Sequence, residues 1–221
     1  MAAQTRIALV HATRVAINPV EHAASRLWPQ ATMLTILDES LVVDRAAATV
    51  PMNIINSRIV ALARYAEQLD VSGILYTCSA FGEGITEAAR TSSVPVHKPN
   101  EAMFEAALAT GARVAMICTF PPSVADMERE FAEMTRHRNQ KAHLESVIAD
   151  GALAALQSGD DEKHNRLIAE TAASVSDADV ILLAQFSMAQ AAPAVRSKTS
   201  IPVLTSPESA IEKLKSCVEA D

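Results

Sequence analysis

Cys78 is the residue best placed to do chemistry. It stands in ILYTCSAFGEG (74–84), where three apolar residues give way to Thr77-Cys78-Ser79 and then to a glycine-punctuated helical pattern. A free thiol has a pKa of about 8.5, and a helix N-terminus can lower it enough to supply thiolate near neutral pH. Such a sulfur can remove a proton from carbon or add to a double bond. An internal repeat supplies a second position. Arg6-Ile7-Ala8 matches Arg113-Val114-Ala115 at 113 − 6 = 107, and Val94-Pro95-Val96 matches Ile201-Pro202-Val203 at 202 − 95 = 107. Glu101 and Glu105 fall on Glu208 and Glu212 in the same register. Agreement between separated segments points to a duplicated α/β lobe. The shift carries Cys78 to Gln185 (78 + 107 = 185), in ILLAQFSMA. An amide cannot perform the proton transfer of a thiol, but it can donate a hydrogen bond to a carboxylate or an enolate.

Other side chains cluster around these two positions in the sequence. Thr77 and Ser79 flank the thiol, and Ser79 and Ala80 offer backbone N–H groups beside it for an oxyanion. Ser187 holds the comparable place after Gln185. His11 and Thr13 close the first apolar run, where His11 is either a base near Cys78 or a hydrogen-bonded structural residue. Asn100, in HKPNEAMFEAAL, either reaches the site or caps the helix that follows. His164, early in DDEKHNRLIAE, could touch the rim. Cys118, inside VAMICT, reads as core, and Cys217 as structural or partly exposed. His22, His97, His137 and His143 lack metal-ligand spacing, so no metal is expected. There is no Walker loop and no GxGxxG among 6 glycines, so the chemistry is expected to need no cofactor.

The elements that must position these residues are short. Apolar runs at 6–11, 31–37, 72–77, 94–97, 113–119, 179–184 and 201–204 are too short for helices and nearly continuous, as strands buried on both faces are. Helical spacing occupies 53–68, 101–110, 126–134, 165–174 and 207–218. HLESVI (143–148) fits strand or helix. Strand and helix in alternation imply parallel sheets with right-handed crossovers. The expected fold is α/β, two pseudo-symmetric parallel-sheet lobes of flavodoxin-like or Rossmann-like form with an active-site cleft between them. Lobe 1 is expected over 1–110, with the C-terminal helix 206–221 packing back on it, and lobe 2 over 111–205. Ligands of parallel α/β sheets bind beyond the carboxyl ends of the strands, which is where Cys78 and Gln185 fall.

Composition bounds the rest. A chain of 221 residues can bury a large core. Three cysteines are too few for a disulfide framework, and with no export signal at the N-terminus a cytoplasmic setting is expected. No apolar run approaches a membrane span. A net charge of −7 with scattered basic residues argues against nucleic acid, leaving a small molecule as the expected partner. Small apolar helix residues permit a homo-oligomer.

YTCSAFG, VAMICTFPPSV and ILLAQFSMA followed by IPVLTSPESAIEKL resemble the aspartate/glutamate racemase superfamily, which includes hydantoin and allantoin racemases, maleate isomerase and arylmalonate decarboxylase. The resemblance covers nearly the whole chain. It implies a cofactor-independent enzyme acting on a small carboxylate through an enolate-like or thiol-adduct intermediate. Racemases of this type carry a cysteine at both lobe positions; this chain keeps Cys78 and has Gln185 at the other. The resemblance also assigns Thr119 and Phe120 to holding carboxylate and enolate. One thiol opposite one amide suits a single-cysteine decarboxylase or lyase as an alternative to racemisation or isomerisation. A ligand-binding protein on the same fold is the alternative outside enzymes.

Overall fold

The computed structural model describes residues 5–220, which divide into two compact units, one over 5–101 with 210–220 and the other over Ala102–Ser209. Each holds one four-stranded parallel sheet. The first is built from β1 (Arg6–His11), β2 (Thr32–Leu37), β3 (Gly73–Tyr76) and β4 (Val96–His97), in the order β2-β1-β3-β4. The second is built from β5 (Arg113–Cys118), β6 (His143–Ile148), β7 (Val180–Leu183) and β8 (Val203–Thr205), in the order β6-β5-β7-β8. The central strands are buried along nearly their whole length, which requires the unbroken apolar runs seen in the sequence.

The shift of 107 holds in three dimensions. β1 maps onto β5 and β3 onto β7 residue for residue, and the pairing Ile7↔Gly73 recurs as Val114↔Val180. The 3₁₀ turn Arg14–Ala16 recurs as Pro121–Ser123. Among the strands the register breaks at the sheet edge: β2 starts at 32 and β6 at 143, a difference of 111, after helices α1 (Ile17–Leu27) and α6 (Val124–His137) of 11 and 14 residues. The ambiguous HLESVI is therefore the edge strand β6, with His143 and Glu145 exposed.

Helices α3 (Met52–Glu67), α5 (Glu101–Thr110), α6, α8 (Asp161–Ala173) and α10 (Ser206–Glu219) answer the helical spacing at 53–68, 101–110, 126–134, 165–174 and 207–218, and α4 (Gly82–Thr91) answers the glycine-punctuated pattern after Cys78. In α3 the buried face is Ile55, Ile59, Ala63 and Ala66, the stripe expected of a helix on a sheet. Helices α2 (Ser40–Ala47), α7 (Ala152–Gln157) and α9 (Ala192–Arg196) are too short for periodicity to reveal. The sequence places α5, within 1–110, in the first lobe. In the structure, however, Met103, Phe104, Ala107 and Leu108 lie in the core of the second unit, where Phe104 packs edge-on against Phe131 at 5.5 Å. Its repeat counterpart α10 serves the first unit, where Leu214 lies against Gly73 and Lys215 Nζ donates to Leu27 O.

At the amino end of the second sheet, Asp179 ties β5 to β7. Its carboxylate accepts from the backbone N–H groups of Ala112 and Arg113, at 3.0 and 2.9 Å, and from the Arg113 guanidinium. Those contacts hold its pKa down at about 2, the Arg113 side chain being the largest cause. Gly111 leaves room for this clamp, since a Cβ there would lie 2.3 Å from Asp179 Cβ. Gly111→Ala is accordingly expected to displace the carboxylate and cost about 1–3 kcal/mol, measured as a lowered midpoint in urea. An unchanged midpoint would mean that the clamp yields freely.

Candidate active site

Cys78 lies two residues beyond β3. Thr77 extends the ladder by donating its N–H to Val10 O at 3.0 Å, and Cys78 is still extended at φ −124°, ψ 118°. The chain then turns through a 3₁₀ segment, Ser79–Phe81, into α4. The sulfur is half-buried and packs, with Ala80, against the core of the first unit. Ser79 is exposed. Burial pushes the Cys78 thiol above the usual cysteine range; the Ala80 backbone N–H and the positive charge of Arg45 pull it back and do not prevail. This reverses the expectation of a thiol lowered by a helix N-terminus. The 3₁₀ turn Ser79–Phe81 stands between the thiol and the first residue of α4, and the desolvation of the sulfur outweighs the pull of the N–H groups beyond it. Burial thus favours the protonated thiol over the thiolate.

His11, at the end of β1, is fully buried, and its Nδ1 shares a hydrogen bond of 2.8 Å with Thr77 Oγ1. Its Nε2 is buried and has no hydrogen-bond partner among the described residues. Burial lowers its pKa to about 4, only partly opposed by Glu21, so the ring is neutral at neutral pH. His11 thus reaches the site by way of Thr77, the residue next to the thiol.

Gln185, two residues beyond β7, repeats the placement of Cys78 and is also extended, at φ −102°, ψ 147°. Its Oε1 accepts from the Thr119 backbone N–H at 2.9 Å and the Thr119 hydroxyl at 3.2 Å, and its Nε2 donates to Ser123 Oγ at 3.2 Å. These bonds fix the amide orientation: the oxygen is used on β5's end, and the NH₂ retains a second hydrogen to donate. Ser123 was not singled out in the sequence, although it lies within the quoted VAMICTFPPSV. The Gln185 side chain also lies against Cys118, a core thiol that burial pushes up to about 12. Gln185→Leu is expected to strand the buried Thr119 N–H and cost about 1–3 kcal/mol, whereas Gln185→Glu keeps that acceptor and most of the stability. Thermal unfolding of the pair checks this; equal midpoints would show that the Thr119 bond does not matter.

Of the remaining candidates, Thr13, Phe120 and Ser187 follow the carboxyl ends of β1, β5 and β7. Thr13 is half-buried just before the turn after β1, and Phe120 holds the repeat position after β5, 46% exposed. Ser187 is half-buried in the 3₁₀ segment Phe186–Ala191. Asn100 is buried just ahead of α5, with its Nδ2 unpaired among the described residues. His164 is fully buried and donates from Nδ1 to Ala152 O at 2.8 Å, joining α8 to α7. Among the described residues no group of three His, Cys, Asp or Glu side chains could hold a metal ion, and no helix is long and apolar enough to cross a membrane.

Comparison with known proteins agrees with this architecture. A profile described as Asp/Glu/hydantoin racemase matches residues 11–214. No curated protein sequence matches the chain. Among solved structures, allantoin racemase from Klebsiella pneumoniae is similar with a TM-score of 0.77 at 17% identity, covering 98% of this chain and 88% of the other. Aspartate racemase from Picrophilus torridus gives 0.69 at 15% identity, covering 97% and 94%. A variant of arylmalonate decarboxylase, in which a glycine is replaced by cysteine and a cysteine by serine, gives 0.68 at 14% identity in its liganded form, covering 97% and 92%.

Proposed function

The chain belongs to the Asp/Glu/hydantoin racemase family, and from that premise we propose that it is a cofactor-independent isomerase or lyase acting on a small carboxylate, with Cys78 as its proton-transferring or adding sulfur. The observation that carries the reading is the equivalence of Cys78 and Gln185 under the repeat: a thiol beyond β3, and an amide locked in orientation beyond β7. In this reading the thiol reacts. The Gln185 NH₂ is available to donate to a carboxylate or enolate, with Thr119 beside it, and the N–H groups of Ser79 and Ala80 stabilise negative charge beside the sulfur. Thr13, Asn100, Phe120 and Ser187 complete the substrate contacts, and His11 orders Thr77.

Burial, which favours the Cys78 thiol over its thiolate, supports one variant, a decarboxylase or lyase. Racemisation from the free protein would start from thiolate, which burial disfavours. A thiol is instead ready to give a proton. When a carbon–carboxylate bond breaks, carbon dioxide leaves and the electron pair passes to an enolate; the Cys78 S–H then protonates the carbon, and the resulting thiolate recovers its proton from water.

A panel of small carboxylic acids incubated in deuterated water tests the proposal. NMR would follow α-proton loss, carbon dioxide release and double-bond change together. Loss of α-proton signal without decarboxylation identifies a racemase, a shifted double bond an isomerase, and carbon dioxide with one deuteron incorporated a decarboxylase. Acids that bind without any of these changes would favour a ligand-binding protein and overturn the enzymatic reading.

A further inference from the structure

The chemistry proposed for Cys78 leaves a negative sulfur in a half-buried place, which calls for a nearby positive charge. In the first unit, α2 brings one. Arg45 lies in its last turn, and its guanidinium carbon sits 5.7 Å from the centroid of the Phe81 ring. Phe81 is 2% exposed and closes the 3₁₀ turn that begins directly after Cys78. A guanidinium over an aromatic face is attracted by the ring quadrupole and held in orientation. The helix beneath it is held as well. Arg58 on α3 pairs with Asp44 at 2.6 Å and donates to Ser40 at 3.0 Å, anchoring α2 on both sides of the turn that leads to Arg45.

We propose that Arg45 is a positioning residue for Cys78: its guanidinium, seated on the Phe81 ring, is the positive charge against which the Cys78 sulfur becomes negative. The effect on the thiol supports this, since the charge of Arg45 acts to favour thiolate against the opposing desolvation. The other titratable groups on neighbouring elements are accounted for. His11 on β1 is neutral above about pH 4, Tyr76 on β3 keeps its hydroxyl proton and donates it to Ile59 O, Arg58 on α3 is engaged by Asp44, and Glu83 on α4 accepts from Asn56. The inference takes Cys78 as the reacting sulfur from the functional reading above.

Alkylation of the full chain by iodoacetamide between pH 6 and 10, with Cys78 followed by peptide mass spectrometry, is the test. Arg45→Met keeps aliphatic length over Phe81 and removes the charge; it is expected to move the Cys78 pH profile upward and slow labelling at pH 8 about three- to tenfold. Arg45→Lys is expected to restore most of the wild-type profile. A Met profile that superimposes on wild type overturns the inference, as does a Lys profile displaced as far as the Met one, because a packing role alone would produce it. Labelling requires no turnover. A shifted profile in a protein that converts none of the acids would therefore uphold Arg45 while the enzymatic reading fell.

Discussion

Cys78→Ala is expected to lower turnover of whichever acid the deuterium screen identifies by about a hundred- to ten-thousandfold, the range that one positioned proton-transfer group contributes. The two paired positions beyond β3 and β7 hold one sulfur between them. A two-thiol racemase that loses one cysteine can still exchange a proton on one face. Here the other position is Gln185, whose oxygen is committed to Thr119 and whose nitrogen can only donate. Removing Cys78 therefore removes every proton-transferring side chain that the repeat places at the paired positions. The fold should survive, since the sulfur is half-buried at the end of a strand and truncation leaves a small, partly solvated gap. Unfolding midpoints of variant and wild type should thus agree within a few degrees, separating lost chemistry from lost structure. Turnover in the alanine variant within about threefold of wild type would sink the catalytic assignment. Cys78→Ser is the sharper companion. Its hydroxyl keeps the shape but is far less acidic than a thiol, so it should fall near the alanine variant; if it retained activity, the sulfur would be serving as a hydrogen-bonding group.

Much of this arrangement was legible because gene-scale repetition leaves a constant offset. Arg6 and Arg113, Pro95 and Pro202 fix the shift of 107, and β1, β3, β5 and β7 obey it in the sheets. Cys78 and Gln185 could therefore be paired before any coordinates. What a constant offset cannot reveal is where it breaks. The later start of β6 follows from a longer α6, and edge strands exposed on one side carry a weaker apolar signal than buried ones. The membership of α5 was hidden for a different reason: the order of elements along a chain does not say which core a helix at a boundary will join, and the decision rests on the contacts of Phe104 with Phe131. Burial was the least legible quantity at the site. That Cys78 precedes a helix can be read from Gly82 and Gly84, but the desolvation that raises its pKa depends on packing across the first unit. Arg45 was invisible for a related reason, since an eight-residue α2 carries too little periodicity to be seen, and nothing local ties residue 45 to residue 81.

The second large effect concerns stability, and it follows from His11. An ordinary histidine titrates near 6.5, whereas burial holds His11 at about 4. The folded state therefore binds a proton here less readily than the unfolded chain. Stability tied to His11 is complete above about pH 6.5 and is lost as pH falls from 6.5 to 4, because the unfolded chain takes up the proton first. That displacement corresponds to about 3 kcal/mol, enough to matter in a protein stable by 5–15 kcal/mol. Asp179 does not confuse the window. Its carboxylate titrates near 2 instead of 3.8, so its contribution persists through pH 4 and fades only below that. His11→Gln tests the assignment, with urea unfolding measured at pH 7.0 and pH 4.0. The variant should be less stable at pH 7.0, since it gives up the bond to Thr77, yet it should lose about 3 kcal/mol less than wild type on acidification. Parallel losses in the two proteins would mean that His11 is not the group that protonates. Because Thr77 adjoins Cys78, the same proton carries a functional consequence at lower pH: the folded protein takes it up at His11 only near pH 4, which would disturb the neutral pairing behind the thiol, so activity in wild type should hold from pH 6.5 to about 5 and fall towards pH 4, and an activity profile that stays flat through pH 4 in the still-folded protein would detach the histidine from the site.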